Sequence, residues 1–406
     1  MPSVSWFPRA LIVATATAAL AACGGGGGGS SQPVQQQGTL RVSLTDSPSC
    51  GYSNVFVTVE KVRVHQSAAA NDNAAGWSEI VLSPAKRVDV LTLTNGVLEG
   101  LGQMPLTAGQ YQQVRLVLAE NGSGALANAL RLEPTGPDIP LATPSGQQSG
   151  LKLIRPFTVE PNRVSDLILD FLVCDSIVRR GNGTYALKPV IQILEAVNVA
   201  AIAGNVGAAH VPNAASGQEG ALVTAQKDGV VLRATVPNAV GEFMLAYLDP
   251  TKSPYDIVFT QPSFGTAVIA SVPATTSAVT RVSTSGGPIL LYASVMRTAS
   301  GILGPEGARS TAVVRARQVV VGGPTVQVGP VANVSDTTGA YSVSLPALAP
   351  RLAAYSTTLP LSFSSVAAST GLYALRASAS GYAMQDLSVN LSASSVVQNI
   401  TLLPTP

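Results

Sequence analysis

From Thr39 onward the chain is a succession of short runs rich in Val, Ile and Thr, each cut off by glycine, proline or an Asn/Asp turn. The 38 Gly and 28 Pro are spread evenly through 406 residues. Proline removes a backbone donor and glycine raises the entropy cost of ordering, so long helices are disfavoured. Short strands joined by turns remain, and the expected fold class is all-β, built as tandem immunoglobulin-like β-sandwich domains. Mean hydropathy is positive, at +0.31. It arises from dispersed Ala and Val, because after Cys23 no apolar run approaches the roughly 20 residues of a spanning helix. Charged residues are only 11% and the net charge is +2. Lys and Arg are scattered, which argues against a nucleic-acid-binding face, since that needs a basic stripe.

The first 22 residues read as an export signal: Arg9 supplies charge, and residues 11–20 form an apolar stretch too short to span a bilayer. The stretch ends in Leu20-Ala21-Ala22-Cys23, which resembles the lipobox of bacterial lipoproteins. That resemblance implies cleavage before Cys23, a diacylglyceryl group on its sulfur, palmitate-type acylation of the new amino terminus, and membrane lipid as a partner. Gly24 in place of Asp implies passage to the outer membrane. Residues 23–37 are then the lipidated Cys and a Gly/Ser/Gln tether with no core of its own, reaching on the order of 20 Å.

Three cysteines are present. With Cys23 lipidated, Cys50 and Cys174 remain in an oxidising compartment and either form a disulfide or stay as two buried thiols. Ligands for a two-Cys metal site are missing.

Residues 38–197 read as one β-sandwich. Thr39 to Leu44 alternates as a strand. Residues 54–65 form a long strand with Val55, Val57 and Val59 on one face. The apolar side passes to Val62 and Val64 after Glu60-Lys61, which predicts a β-bulge there. A hairpin loop at Asn71-Asp72-Asn73 leads to a return strand at 77–82, and further strands are expected at 87–93, 110–118, 150–157, 164–173 and 184–196. Leu44-Thr45-Asp46-Ser47-Pro48, Val57-Thr58-Val59, residues 106–116, Ser149-Gly150-Leu151-Lys152 and Leu169-Asp170-Phe171 together resemble a bacterial lipoprotein domain family of unknown function. The resemblance implies place and fold and carries no activity.

Residues 198–293 and 294–406 read as two copies of a second module, the latter diverged. Ile202-Ala203-Gly204-Asn205-Val206 matches Ala299-Ser300-Gly301-Ile302-Leu303. Asn238-Ala239-Val240-Gly241-Glu242-Phe243 matches Asp336-Thr337-Thr338-Gly339-Ala340-Tyr341. Tyr255-Asp256-Ile257-Val258 matches Tyr373-Ala374-Leu375-Arg376. Each pairs an Asn/Asp-Gly turn with a strand bearing an inward aromatic. The pattern resembles carboxypeptidase regulatory-like domains, which are transthyretin-like accessory sandwiches. The second copy carries an insertion around residues 345–365.

Catalytic signatures are sparse. His65 ends a strand and His210 sits in a Gly/Ala-rich loop, so both read as surface histidines. No zincin or nucleophile-elbow pattern occurs. Ser83-Pro84-Ala85-Lys86 fits Ser-x-x-Lys, but it falls at an expected inter-strand turn without its companion motifs. The carboxylates near the two cysteines are the candidates that remain. Asp46, Asp170 and Asp175 would be gathered by the disulfide and could hold Ca²⁺ as a cofactor or act as an acid–base pair on a glycoside. The alternative gives Asp46 a turn cap, Asp170 backbone hydrogen bonds and Asp175 to solvent. Trp77 is the one tryptophan left once Trp6 leaves with the signal, and it is a candidate ligand-stacking ring or else a core residue. The expected function is a non-enzymatic binding or structural role at the envelope, with a surface polysaccharide, the cell wall or an envelope protein as partner. The alternative is a carbohydrate-active or cation-dependent enzyme using carboxylates near Asp46 and Asp170.

Overall fold

A computed structural model describes residues 36–46, 52–122, 124, 126–133, 135–143, 150–180, 183–188, 190–196, 199–213, 215–216 and 218–405, apart from the side chains at 174 and 175. The expected export signal, the expected anchor at Cys23 and the expected tether up to residue 35, with Cys50 and the Cys174 and Asp175 side chains, lie outside the described residues. The chain is all-β. No helix among the described residues is long and apolar enough to cross a membrane.

The first module contains β1 (Gln37–Asp46), β2 (Asn54–His65), β3 (Ser78–Asp89), β4 (Glu99–Thr107), β5 (Gly109–Leu118) and β6 (Ala129–Arg131). It continues with β7 (Ile139–Ala142), β8 (Leu151–Val159), β9 (Val164–Phe171), β10 (Ile177–Arg179), β11 (Tyr185–Leu187) and β12 (Ile191–Glu195). One sheet runs β12-β9-β1-β4, with β1 and β9 parallel. The other runs β10-β11-β7-β6-β2-β5-β8, with β3 also on β2. Leu40, Val42 and Leu44 of β1 and Leu167, Leu169 and Phe171 of β9 pack in one core with the valines of β2. The expected bulge is present. Val59 pairs with Leu118 and Lys61 with Val117, so β2 carries one extra residue, and Val55, Val57, Val59, Val62 and Val64 all stay fully buried.

Three local expectations are corrected. The strand after Trp77 does not stop at Leu82. β3 continues to Asp89 and ends in a 3-10 turn, Val90–Thr92, capped by Asp89, so 87–93 is not a separate strand. Its register with β2 jumps from Val59–Lys86 to Lys61–Val81, so Ser83-Pro84 lies on a bulged strand and not at an inter-strand turn. Residues 184–196 split into β11 and β12, which belong to different sheets. The Ser176 hydroxyl holds the crossing, accepting from Val190 N at 2.8 Å and donating to Leu172 O at 2.7 Å. β4 leaves little mark in the sequence because Glu-Gly-Leu-Gly-Gln-Met-Pro-Leu-Thr has weak strand propensity. It forms at the sheet edge, where Pro105 needs no donor.

The second module contains β13 (Ala200–Asn205), β14 (Leu222–Lys227), β15 (Val230–Thr235), β16 (Glu242–Leu248), β17 (Tyr255–Thr260), β18 (Ala267–Val272) and β19 (Thr280–Arg281). The third contains β20 (Met296–Gly304), β21 (Val313–Val319), β22 (Thr325–Gln327), β23 (Ala332–Asn333), β24 (Ala340–Pro346) and β25 (Arg351–Ala354). It closes with β26 (Ser364–Ser365), β27 (Leu372–Ser378), β28 (Gln385–Asn390), β29 (Val396–Val397) and β30 (Ile400–Thr401).

The two share one wiring. β13 pairs antiparallel with β16 and parallel with β19, while β20 pairs antiparallel with β24 and parallel with β29. Phe243 and Tyr341, 3% and 4% exposed, are the inward aromatics after the turns. Gly241 and Gly339 have φ of 85° and 72°. Their carbonyls accept from Val206 N at 2.8 Å and Leu303 N at 2.7 Å. A Cβ on Gly241 would meet Val206 O at 2.5 Å, and one on Gly339 would meet Leu303 O at 2.4 Å. Only glycine fits such a position. Gly241→Ala and Gly339→Ala are each expected to cost about 2–4 kcal/mol, from positive φ plus a backbone clash, read as a drop in the urea midpoint at unchanged m-value. The turns differ in one detail. Asn238 closes the first by donating its N–H to Glu242 O, but Ser335, not Asp336, does so in the second, with Ala340 O. The second turn is one residue longer.

The insertion at 345–365 crosses between modules. β25 adds to β18 in parallel and β26 follows it, so the second module's sheet reads β15-β14-β17-β18-β25-β26. Tyr355, Leu361 and Phe363 from the same segment pack on the second module's core. In return, Val258 and Val268 of β17 and β18 join the third module's core. Strands β14, β17 and β18 are therefore covered on both faces, which explains runs such as Ile257-Val258-Phe259 that do not alternate. Gln226, 1% exposed, adds a strand-like pair: its Oε1 accepts from Gln327 N at 2.7 Å and its Nε2 donates to Gln327 O at 2.9 Å.

Candidate functional site at the junction of the first two modules

The parallel pairing of β1 with β9 sets Thr45 opposite Asp170 and Asp46 opposite Phe171. Two of the three candidate carboxylates thus come together through the pairing of β1 with β9. Because Leu167, Leu169 and Phe171 fill the core, alternation turns Asp170 to the other face of the sheet. That face meets β15 of the second module. The Asp170 carboxylate, 1% exposed, is ion-paired with the guanidinium of Arg233, 5% exposed. Arg233 also donates from Nε and Nη2 to Tyr247 O, both at 3.3 Å. Burial pushes the Arg233 guanidinium down to about 10, against the opposing pull of Tyr255, Asp46 and Tyr247, and it stays charged at neutral pH. Asp46 is 5% exposed and its Oδ1 accepts from Val173 N at 3.2 Å.

Beside this pair, a loop of the first module reads the second. Asn95, at φ 57°, donates from its N–H to Thr235 Oγ1 at 3.2 Å and from Nδ2 to Val236 O at 2.8 Å. Its Oδ1 accepts from Thr235 Oγ1 at 2.7 Å and from Met244 N at 3.0 Å. The Tyr247 hydroxyl donates to Gly96 O at 2.9 Å. Neither Arg233 nor Asn95 stands out in the sequence. Asn95-Gly96 is a turn dipeptide and marks a loop, but nothing local names its partner.

Residues 37–189 match the family described as "Domain of unknown function (DUF4382)". No curated protein matches the chain. Solved structures align at low similarity. The Bacillus anthracis TIE protein is 9% identical over 91% of this chain and 51% of its own, with a TM-score of 0.18, so the chain spans about half its length. The major pilin SpaA of Corynebacterium diphtheriae is 11% identical over 90% and 99%, at 0.18. Two B repeat units of the Staphylococcus aureus collagen binding protein are 8% identical over 91% and 99%, at 0.19. The all-β assignment rests on this chain's own sheets.

The position a cation would take beside Asp170, inside the stretch that matches this domain model, is filled by Arg233 of the second module. Among the described residues no three His, Cys, Asp or Glu side chains gather as a metal cluster. A hard divalent cation needs six to eight oxygens. Melting temperatures measured in Ca²⁺ and in EDTA are therefore expected to agree within about 1 °C.

Trp77 closes the β2–β3 hairpin of this domain. Its Nε1 donates to Asn71 O at 2.9 Å, and its half-buried ring lies under Arg63 and Arg115, at 4.5 and 4.8 Å. Arg115 pairs with Asp72, and Arg63 with Glu79 at 2.6 Å. The indole thus serves as a platform for two guanidiniums. His65 packs on it at 5.1 Å and is partly exposed, accepting from Ser67 N at 2.8 Å. His210 is not at the surface. It is 2% exposed in the second module, where Nε2 accepts from Leu291 N at 2.9 Å and Nδ1 therefore donates to Gln261 Oε1 at 2.8 Å. Lys86 is ion-paired with Glu99, on a strand and not at a helix start.

Proposed function

We propose that this protein is a lipid-anchored lipoprotein of the bacterial envelope, carried to the outer membrane through Cys23, with a binding or structural role and no catalysis of its own. The observation that carries the placement is Leu20-Ala21-Ala22-Cys23 behind a short apolar leader. The role is supported by the junction. A carboxylate pair that worked on a glycoside would stand open to substrate with room for water, whereas Asp46 and Asp170 are 5% and 1% exposed and Arg233 lies on Asp170. Strand addition by β25, the Gln226–Gln327 pair and the Asn95 contacts all hold one module to the next, as suits a part that transmits or resists force. The resemblance of residues 198–293 and 294–406 to regulatory-like accessory domains points the same way. The partner belongs to one of three classes: a surface polysaccharide, the cell wall or another envelope protein.

Fractionation of cells making the full chain tests this reading. The protein is expected in the outer-membrane fraction, resistant to high salt and released by detergent, and it is expected to co-sediment with at least one isolated envelope polymer or protein. Recovery in the soluble fraction would contradict the anchoring. Turnover of a glycoside that is abolished by Asp170→Asn would contradict the non-enzymatic role.

A further inference from the structure

The outer face of the second module's three-stranded sheet forms a groove that the interactions above leave unused. Ile202 and Phe243 point into the core, so alternation along β13 and β16 turns Ala203, Asn205, Glu242 and Met244 outward. Arg281 of β19 lies level with Ala203 on the other flank. Asn95 of the first module closes one end. Together these side chains line a cavity of about 280 Å³. The hollow has a local cause, since the central strand places small Ala203 between the long side chains of Met244 and Arg281.

Three features of the lining point to a ligand. Asn205 is 7% exposed, yet its side-chain amide makes no hydrogen bond with the protein among the described residues. As part of the cavity lining, that amide can bond a ligand there. Arg281 is exposed and forms no ion pair among the described residues. Glu242 is exposed as well, and Asn238 Nδ2 donates to its Oε2 at 3.2 Å, which holds the carboxylate at the groove's rim. The groove therefore has an anionic flank, a cationic flank and an amide between them. Glu242 pairs with Asn205 and Arg281 with Ala203, so the two charged residues stand two strand spacings apart and two residues offset. Ideal sheet geometry puts their Cα atoms about 12 Å apart.

We propose that this groove binds a short extended peptide by its two ends, with the ammonium on Glu242, the carboxylate on Arg281 and a backbone amide on Asn205. Three or four extended residues span about 10–14 Å, which matches the separation. A short peptide with both ends free is a further ligand class, beyond the three partner classes of the binding role given above. The outward-facing Met244 supplies an apolar wall for small side chains.

Titration calorimetry of the full chain in detergent micelles, with trialanine, N-acetyl-trialanine and trialanine amide, tests it. Trialanine is expected to bind, and blocking either end is expected to weaken binding roughly tenfold or more. Glu242→Gln should weaken trialanine by a similar factor and leave N-acetyl-trialanine unaffected. Arg281→Gln should do the same with respect to the amide. Both substitutions sit at exposed positions, so unchanged melting temperatures serve as the folding control. No binding at millimolar trialanine, or equal binding by the blocked peptides, would overturn the proposal. Such a result with Cys23 acylated overturns the groove alone, whereas an unacylated Cys23 overturns the anchoring and leaves peptide binding to be decided by the titration.

Discussion

Arg233→Ala is expected to lower the unfolding free energy by about 3–5 kcal/mol, because it strands a carboxylate that is almost wholly out of water. Asp170 is 1% exposed and Arg233 5% exposed, so neither group can turn to solvent when its partner is lost. The two single variants should not be equal. Arg233 also feels Asp46, so removing the guanidinium leaves two neighbouring buried acids, whereas Asp170→Ala leaves Asp46 close to the cation. Arg233→Ala should therefore be the worse of the two. The double variant Asp170→Leu with Arg233→Met should recover most of the loss, since apolar replacement of a buried pair is often neutral. Urea unfolding of the three variants checks the order. A double variant no better than Arg233→Ala alone would mean that the pair does more than neutralise itself.

Much of the fold was legible because burial of one face imposes a period on the sequence. The five valines of β2 showed both the strand and its bulge, since the alternation breaks at one place, Glu60-Lys61. The turns before Phe243 and Tyr341 were legible for a similar reason: an Asn/Asp-Gly step followed by an inward aromatic is a local demand of the backbone. What stayed hidden was settled between distant segments. β25 has four residues and no strong pattern, and it forms because β18 offers an open edge. His210 is buried by Gln261 and Leu291, which nothing near it in sequence announces. The candidate site was half legible. Asp46 and Asp170 do lie together, through the pairing of β1 with β9, and the group that occupies their neighbourhood is Arg233, 63 residues beyond Asp170. An arginine inside a strand carries no sign of the acid it will meet.

Cys23→Ala is expected to move the protein wholesale from the membrane to the soluble fraction. Each buried methylene of an acyl chain contributes about 0.8 kcal/mol, and one chain alone gives only reversible binding. Two or three chains make release negligible on a cellular timescale, so loss of the thiol removes essentially all of the membrane affinity. No helix among the described residues is long and apolar enough to cross a bilayer. The sandwich modules should be unaffected, and the soluble variant should unfold at the same urea concentration as the detergent-solubilised wild type. Continued sedimentation of the variant with membranes would mean that a different surface holds the protein there.

The most direct measurement is intact-mass and peptide mass spectrometry of the mature protein purified from cells. The account predicts a chain that begins at Cys23, lacks residues 1–22, and carries fatty acyl chains on the sulfur and amino group of that residue. A mature chain with an unmodified Cys23 thiol, or one that still retains the leader, would contradict it.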